Sequence, residues 1–391
     1  MKMVVVGLGQ CGGRIADEFA RLNNRGRSHR GMEVITGAYA VNTDEADLSG
    51  LSTIKSDYQH RIVIGGRKTD GHGVGKINEI GADLAREDGD KVIEAVGTAP
   101  QFTEADALLL IAGCGGGTGS GSLPVITQMV KERYIDKPVF AIAVLPFEHE
   151  QHTEERAFYN TATCLKATFS VADAVFLVDN QRYVRKDASL TSNLSAINHQ
   201  IVEPFYNMLS SGEEKNRKHI GAKVLDAGDI VATLEGWTVI GFGKADVPLI
   251  RSPLGRSKDF RKKSTETHKG IQAMDEALSE LSLKVSPRDA GKALYLLCAP
   301  HRETNVEIMK ELGEYLRDLA PDTLIRSGDY PRERGEVNVT VILSQLSEME
   351  KVKDYYTRSE EYMRTIKKRQ ETIDVKVKGI VDAGKDIPSL L

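Results

Sequence analysis

Two glycine clusters, a pair of aspartates and a few amides are the residues of this 391-residue chain best suited to chemistry. The segment CGGGTGSGS (114–122) directly follows the apolar run ALLLIAG and precedes LPVITQMVKERY. Glycine packs no side chain and loses the most backbone entropy on folding, so a run of it needs a reason. A flexible linker is a poor reason between a buried strand and a helix whose Leu123, Ile126, Met129 and Val130 share one face. A helix N-terminus leaves four N–H groups unpaired and carries about half a positive charge. Glycines let an anion approach those groups, so the segment reads as a phosphate cradle, in which a side chain at Gly117 would take the phosphate's place.

Residues 7–12, GLGQCG, match G-x-G-x-x-G, a weak sign of a dinucleotide site. Such a site wants a carboxylate at the end of the second strand, and Glu33 stands at its start. A P-loop is absent. Gly75-Lys76, Gly243-Lys244, Gly291-Lys292 and Gly384-Lys385 are followed by Ile, Ala, Ala and Asp, never Ser or Thr. Phosphates would then be held by backbone N–H groups, helix dipoles and a metal rather than by a lysine. Asp226 and Asp229 lie three apart at a helix start, where a capping role is the plain reading. Asn180 could cap a helix or, like Asn198, offer donor and acceptor to a base edge. Cys11 could be a small packing residue.

The elements that must position these residues alternate. KMVVVGLG, VITGAYAVNTD, HRIVIGG, DALLLIAG, KPVFAIAVLP and ADAVFLVDN read as strands, with amphipathic helices such as GRIADEFARLNN and KINEIGADLAREDGDKVIEAVG between them. This pattern predicts a parallel sheet covered on both faces, with ligands at the carboxyl ends of its strands. The polar and glycine clusters fall at those ends. From Asp187 to Ser211, Leu190, Leu194, Ile197, Ile201, Phe205 and Leu209 mark a helix of roughly 37 Å, which Pro204 should kink or end. GWTVIGFGKA, KALYLLCAP and EVNVTVILSQL read as strands of a smaller α+β domain, and the chain ends in a charged helical tail closing on DIPSLL.

Composition narrows the function. Fifty-two Lys and Arg against 56 Asp and Glu give a net charge of −4, so no basic excess points to nucleic acid. Cys11, Cys114, Cys164 and Cys298 are scattered without metal spacing, which suits a reducing cytoplasm. No apolar run approaches the ~20 residues of a membrane span, and MKMVVVGLGQ reads as a first strand rather than a signal peptide.

The motifs together resemble the tubulin/FtsZ superfamily of GTPases. GGGTGSG (115–121) is its signature. GQCGGRI is similar to the opening of tubulin, VNTDEADL to the second loop of FtsZ, GHGVGKINEIG to the third loop of the archaeal CetZ branch, and AINHQIV to the base-binding helix of tubulin. The CetZ branch is the one it resembles above all. The resemblance implies an α/β fold: a parallel-sheet GTPase domain with helices on both faces (1–186), a long central helix (187–211), a smaller α+β C-terminal domain (212–345) and a charged helical tail (346–391).

It also implies roles. Gly9, Gln10, Cys11 and Gly12 would form the first phosphate loop, with Arg14 near the nucleoside. Asn42, Thr43 and Asp44 would sit by the phosphates or Mg²⁺, and Gly71, Gly73 and Gly75 would sense the γ-phosphate. Gly115, Gly116, Gly117, Thr118, Gly119, Ser120 and Gly121 would cradle the α- and β-phosphates. Asn180 and Asn198 would read guanine, and Glu154 and Arg156 would contact ribose and phosphate, among the candidates Glu150, Glu154 and Glu155. Lys76-Ile77 departs from the family's usual Ala-Asn in the third loop.

VLDAGDIV resembles the seventh FtsZ loop, with Val224 in place of its asparagine, and makes Asp226 and Asp229 catalytic. The long helix carries them away from their own nucleotide, so they would serve the next subunit of a head-to-tail protofilament. The implied protein is a cytoplasmic cytoskeletal GTPase that turns GTP into GDP and controls archaeal cell shape. The tail could dock a protein partner. The alternatives are an FtsZ-like division-ring GTPase, a polymer that binds nucleotide with little hydrolysis and, on GLGQCG alone, an NAD-dependent oxidoreductase.

Overall fold

The computed structural model describes residues 1–184, 190–246, 259–300, 304, 306–332 and 336–388. The chain runs β1 (Met3–Leu8), α1 (Gly9–Arg30), β2 (Ile35–Asn42), α2 (Glu45–Ser49), β3 (Arg61–Val63), α3 (Gly66–Thr69), α4 (Asn78–Gly97) and β4 (Ala107–Gly113). It continues α5 (Thr118–Arg133), β5 (Val139–Leu145), α6 (Glu148–Thr153), α7 (Arg156–Val171), β6 (Ala174–Asp179), α8 (Leu190–Ser211) and α9 (Ala227–Thr233). The remainder is β7 (Gly236–Asp246), α10 (Asp259–Ser279), β8 (Lys292–Cys298), α11 (Val306–Leu319), β9 (Leu324–Asp329), β10 (Glu336–Leu346) and α12 (Glu350–Ala383).

The strands form one mixed, mostly parallel sheet in the order β3-β2-β1-β4-β5-β6-β7-β10-β8-β9. All neighbours from β3 to β7 are parallel, β10 is antiparallel to both β7 and β8, and β9 returns parallel to β8. Ala174–Phe176 of β6 pair with Gly236–Thr238 of β7, so the sheet passes without a break from the first set of strands to the second. Alternate residues feed two cores, as the pleat requires. Val4, Val6 and Leu8 of β1 face α4 and α5, and Met3 and Val5 face α1 and α8.

Three features differ from the sequence-based expectation. First, the glycine-rich segment after β1 is not a loop, because α1 begins at Gly9, whose φ of 69° turns the chain in a single residue. Second, Pro204 does not end α8, which continues to Ser211. Ile201, Val202, Phe205, Met208 and Leu209 are all buried around that proline, and their packing outweighs the hydrogen bond it removes. Third, β9 (LIRSGD) carries no apolar alternation. It is an edge strand with Leu324 exposed, so its sequence was under little burial constraint. The expected helix start at Asp187 lies outside the described residues.

Phe205 joins the layers. Its ring lies 4.6 Å from Phe176 of β6 and 6.2 Å from Phe19 of α1, both edge-on. Phe205→Ala is expected to lower stability by about 3–5 kcal/mol, because rigid secondary structure surrounds the void. A denaturant titration followed by circular dichroism would measure the loss.

Candidate functional site

The strand order reverses between β1 and β4, and a cleft of about 610 Å³ opens at their carboxyl ends. Two helices start there. Neither α1 nor α5 has a side-chain N-cap or an acidic residue in its first turn. Their orphan N–H groups therefore have no competing acceptor from their own first turns, and the two positive helix ends add at one place. The approach is close. A Cβ on Gly9 would lie 2.9 Å from the Gly119 nitrogen, and one on Gly12 would lie 2.0 Å from the Ile111 carbonyl oxygen.

The cleft brings together Gly9, Gln10, Cys11, Arg14, Asn42, Asp44, Gly73, Gly75, Gly115, Gly116, Gly117, Thr118, Gly119, Glu154, Asn180 and Asn198. The other expected residues stand behind this lining. Gly12 packs α1 onto β4. Thr43 is fully buried, and its hydroxyl lies 2.6 Å from that of Thr118, tying the β2 end to α5. Gly71 abuts Glu45. Ser120 bonds back to the Gly116 carbonyl. Gly121 is where α5 crosses α4, since a Cβ there would lie 2.1 Å from the Asn78 carbonyl oxygen. Arg156 pairs with Glu79 and stacks 5.5 Å from the Tyr159 ring centroid. Gly117 is closed by protein rather than by an empty phosphate position, because its Cβ would meet Val74 Cγ2 at 2.6 Å and the Ile77 nitrogen at 2.9 Å.

Several contributors were not legible as such. The 70–76 turn is unusually dense in left-handed backbone: Asp70, Gly71, Gly73, Gly75 and Lys76 all have φ between 49° and 79°. Lys76 is one of three non-glycine residues in that region among the described residues, a conformation that costs about 1–2 kcal/mol. It lines the cleft and pairs with Glu154, so a lysine does stand at the site although no G-K-[ST] motif announces one. The buried amide of Asn160 in α7 donates to the carbonyls of Lys76 (2.9 Å), Gly115 (3.1 Å) and Gly116 (3.0 Å). That one side chain clamps the glycine loop to the 70–76 turn. Asp47 accepts from Gln10 (2.5 Å) and Asn42 (3.0 Å). Asn160 lies in no motif, and although Asp47 and Lys76 fall within VNTDEADL and GHGVGKINEIG, only a known register of contacts shows what each of them touches.

At the other end, Asn180, Leu194, Ile197, Asn198 and Phe147 form a flatter, partly apolar wall. Asn180 does not cap the turn that follows β6, because the Asp179 carboxylate takes the Gln181 N–H at 3.1 Å. The Asn180 amide stands at the cleft. Glu150 lines it and accepts the Phe147 N–H at 2.9 Å. Burial, with the Glu150 charge adding to it, pushes the Cys11 thiol up to about 12, so Cys11 is a neutral wall residue at ordinary pH. Glu33, the dinucleotide candidate, precedes β2 and lies 3.5 Å from Arg27 at the last turn of α1, at the amino end of the sheet away from the cleft.

Asp226 and Asp229 are not in the cleft. Asp226 caps α9 and accepts the Asp229 N–H at 2.7 Å, while the Asp229 carboxylate faces Arg326 at 3.3 Å. α8 separates them from the wall formed by Asn180 and Asn198. It has 22 residues and a length of about 33 Å at 1.5 Å per residue. The strand missed in the sequence, β9, holds their loop. Asp329 accepts the N–H groups of Ala222 (3.0 Å) and Lys223 (2.6 Å), and Ser327 bonds the Lys223 ammonium at 2.8 Å.

Residues 2–186 match the Tubulin/FtsZ family, GTPase domain, and residues 187–361 match Tubulin-like CetZ, C-terminal domain. The chain is 30% identical over 370 residues to tubulin-like protein CetZ1 of Haloferax volcanii, covering 90% of each. It superposes on the GDP-bound monomer of that CetZ1 with a TM-score of 0.79 at 28% identity, covering 93% of this chain and all of the other. It superposes on the GTPγS-bound protofilament of H. volcanii CetZ2 with a TM-score of 0.80 at 27% identity, covering 94% and 100%.

Gly116 and Gly121 separate cradle from packing. A Cβ on Gly116 meets nothing within 4 Å, whereas one on Gly121 strikes backbone. Gly116→Ala is expected to leave stability within about 0.5 kcal/mol of the wild type while weakening nucleotide binding about tenfold. Gly121→Ala should lower stability by about 2–3 kcal/mol. Thermal melts beside a fluorescent guanine-nucleotide titration distinguish the two.

Proposed function

The chain belongs to the tubulin/FtsZ family, in its CetZ branch, and from that premise we propose that it binds GTP in the β1/β4 cleft and assembles head to tail. GTP would be hydrolysed to GDP and phosphate at each subunit junction. The observation that carries this reading is the pair of uncapped helix N-termini converging on one cleft, with Asp226 and Asp229 at the far end of α8. The N–H groups of α1 and α5 would take the phosphates. Lys76 would exchange its Glu154 partner for a phosphate oxygen. Asn180 and Asn198 would pair with the base edge.

Among the described residues no group of three or more His, Cys, Asp or Glu could hold an ion. Mg²⁺ would therefore draw most of its oxygens from phosphates and water, as this ion commonly does. Asp44 and Asp47 are the nearest carboxylates on the β2 side of the cleft. When bound, the ion supplies charge compensation for the transferring phosphoryl group.

The aspartates stand at an exposed loop fixed to β9 rather than to the sheet end that holds the cleft. A neighbour stacked on the cleft would present them to the γ-phosphate, where they could orient the attacking water. Such a contact is heterologous, and repeated without closure it builds a filament. A cytoplasmic scaffold for archaeal cell shape is the role that fits this assembly.

Competition titration tests the ligand: GTP and GDP should outcompete ATP and NAD, and equal affinity for ATP would sink the guanine assignment. Asp229→Ala tests the junction. It is expected to bind GTP as the wild type does, to hydrolyse it at least about a hundredfold more slowly, and to form filaments that persist under electron microscopy. Wild-type turnover per molecule should also rise with protein concentration. A constant rate from dilute monomer upward, with Asp229→Ala equally active, would place the whole site within one chain.

A further inference from the structure

α12 has 34 residues, and only its first part is buried against the fold. Val352, Tyr355 and Ser359 are buried, Tyr355 accepts a hydrogen bond from the Gln151 amide at 2.8 Å, and Tyr362 lies 6.1 Å from Tyr159 of α7. From Met363 onward every described residue is exposed. The helix nevertheless keeps an apolar seam. Met363, Ile366, Ile373, Val377 and Ile380, with Gln370 in the sixth place, recur at steps of three and four residues. Those five apolar side chains are 40–73% exposed. Strict alternation of three and four is the period of a coiled-coil seam, not of a helix lying on a globular core.

In heptad notation Met363, Gln370 and Val377 occupy a, and Ile366, Ile373 and Ile380 occupy d. The flanking charges choose the partner. In a parallel pair, g faces e of the following heptad on the other strand, so Arg369 faces Asp374, and the symmetry makes this contact twice. Lys376 faces the uncharged Val381, and Tyr362 faces Lys367, so no like charges oppose. An antiparallel pair sets g against g, where Arg369 and Lys376 are both cationic. Gln370, a polar residue at one a position, fixes register at a cost in stability. Arg369 has one contact within its own chain, Glu155 at 3.8 Å, an exposed pair of little strength and open to exchange. Anchorage of residues 350–362 on α7 already nucleates the helix, which a free segment of this length could not do well.

We propose that the exposed part of α12 is an interaction surface for a second copy of this chain, forming a parallel, in-register two-stranded coiled coil over residues 363–383. The contact uses neither the cleft nor the loop of Asp226 and Asp229, and it is independent of nucleotide. Three heptads make it weak between free subunits. Subunits held in two adjacent filaments would meet through many such contacts at high effective concentration.

Full-length protein carrying Gln370→Cys tests this without GTP. Mild oxidation of the GDP-loaded protein should give a disulfide-linked dimer, since a positions of the two strands face each other. Glu371→Cys at an outward b position should give little. The four native cysteines are buried or half-buried, so the wild type serves as background. In sedimentation velocity Ile373→Asp should abolish self-association. Arg369→Asp and Asp374→Arg should each weaken it about three- to tenfold, and the double exchange should restore it. A chain that stays monomeric at every concentration, or equal cross-linking at 370 and 371, overturns the proposal. So does flotation with phosphatidylserine vesicles that Ile373→Asp removes while no self-association is seen. None of these outcomes depends on GTP binding or hydrolysis, so the proposal stands or falls apart from the functional reading above.

Discussion

The close approach of two helix N-termini at the strand-order reversal is the constraint on which the rest of the molecule depends. α1 and α5 can leave adjacent strands and still converge only if side chains are absent where they touch. A Cβ at Gly9 would meet the backbone of Gly119, and one at Gly119 would lie 2.9 Å from the Leu8 carbonyl oxygen. The convergence concentrates unpaired N–H groups and two positive helix ends in one small volume. An anion would relieve both, which is why this end of the sheet is proposed as a binding site and not merely a turn. The second tier of glycines serves the same end indirectly. Gly81 and Gly121 let α4 and α5 cross in backbone contact, and this fixes the direction in which the α5 N-terminus points.

Holding that geometry falls largely to side chains set behind the cleft wall. Asn160 offers one amide group to three carbonyls from two loops. The Thr43–Thr118 pair performs a similar service between β2 and α5. Buried polar groups are costly unless satisfied, so such clamps set one loop arrangement apart from its competitors. The 70–76 turn needs that help, since its run of left-handed residues, Lys76 included, would not be retained by a free chain.

α8 and the continuous sheet divide the molecule into two working ends. The helix buries apolar side chains against the sheet along most of its length, with Phe205 between Phe19 and Phe176, so it acts as a stiff spacer. The cleft lies at one end. At the other, β9 grips the loop that carries Asp226 and Asp229. A chain built this way has unlike top and bottom faces, which suits the proposed head-to-tail stacking. The proposed coiled coil would add a contact of a different symmetry, joining like surfaces.

The sequence by itself determined the fold class, the family and the location of the cleft, because those rest on local signals. The strand–glycine–helix run at 107–130, the alternation of apolar strands with amphipathic helices and the GGGTGSG motif all survive translation into structure. What it could not divide was labour within the motifs. Gly116 and Gly121 look alike in a glycine run, yet one stands open at the cleft and the other is pressed onto Asn78, a difference set by where α4 crosses. Glu154 and Arg156 were expected together, and only the structure shows that the glutamate pairs with Lys76 at the cleft and the arginine with Glu79. Strand β9 and the clamp at Asn160 had no signal at all. An edge strand needs no apolar period, and an asparagine in mid-helix is informative only when the carbonyls it reaches are known. Periodicity and motif report how a segment behaves alone. Only tertiary structure decides which atoms, distant in sequence, are brought within hydrogen-bonding distance.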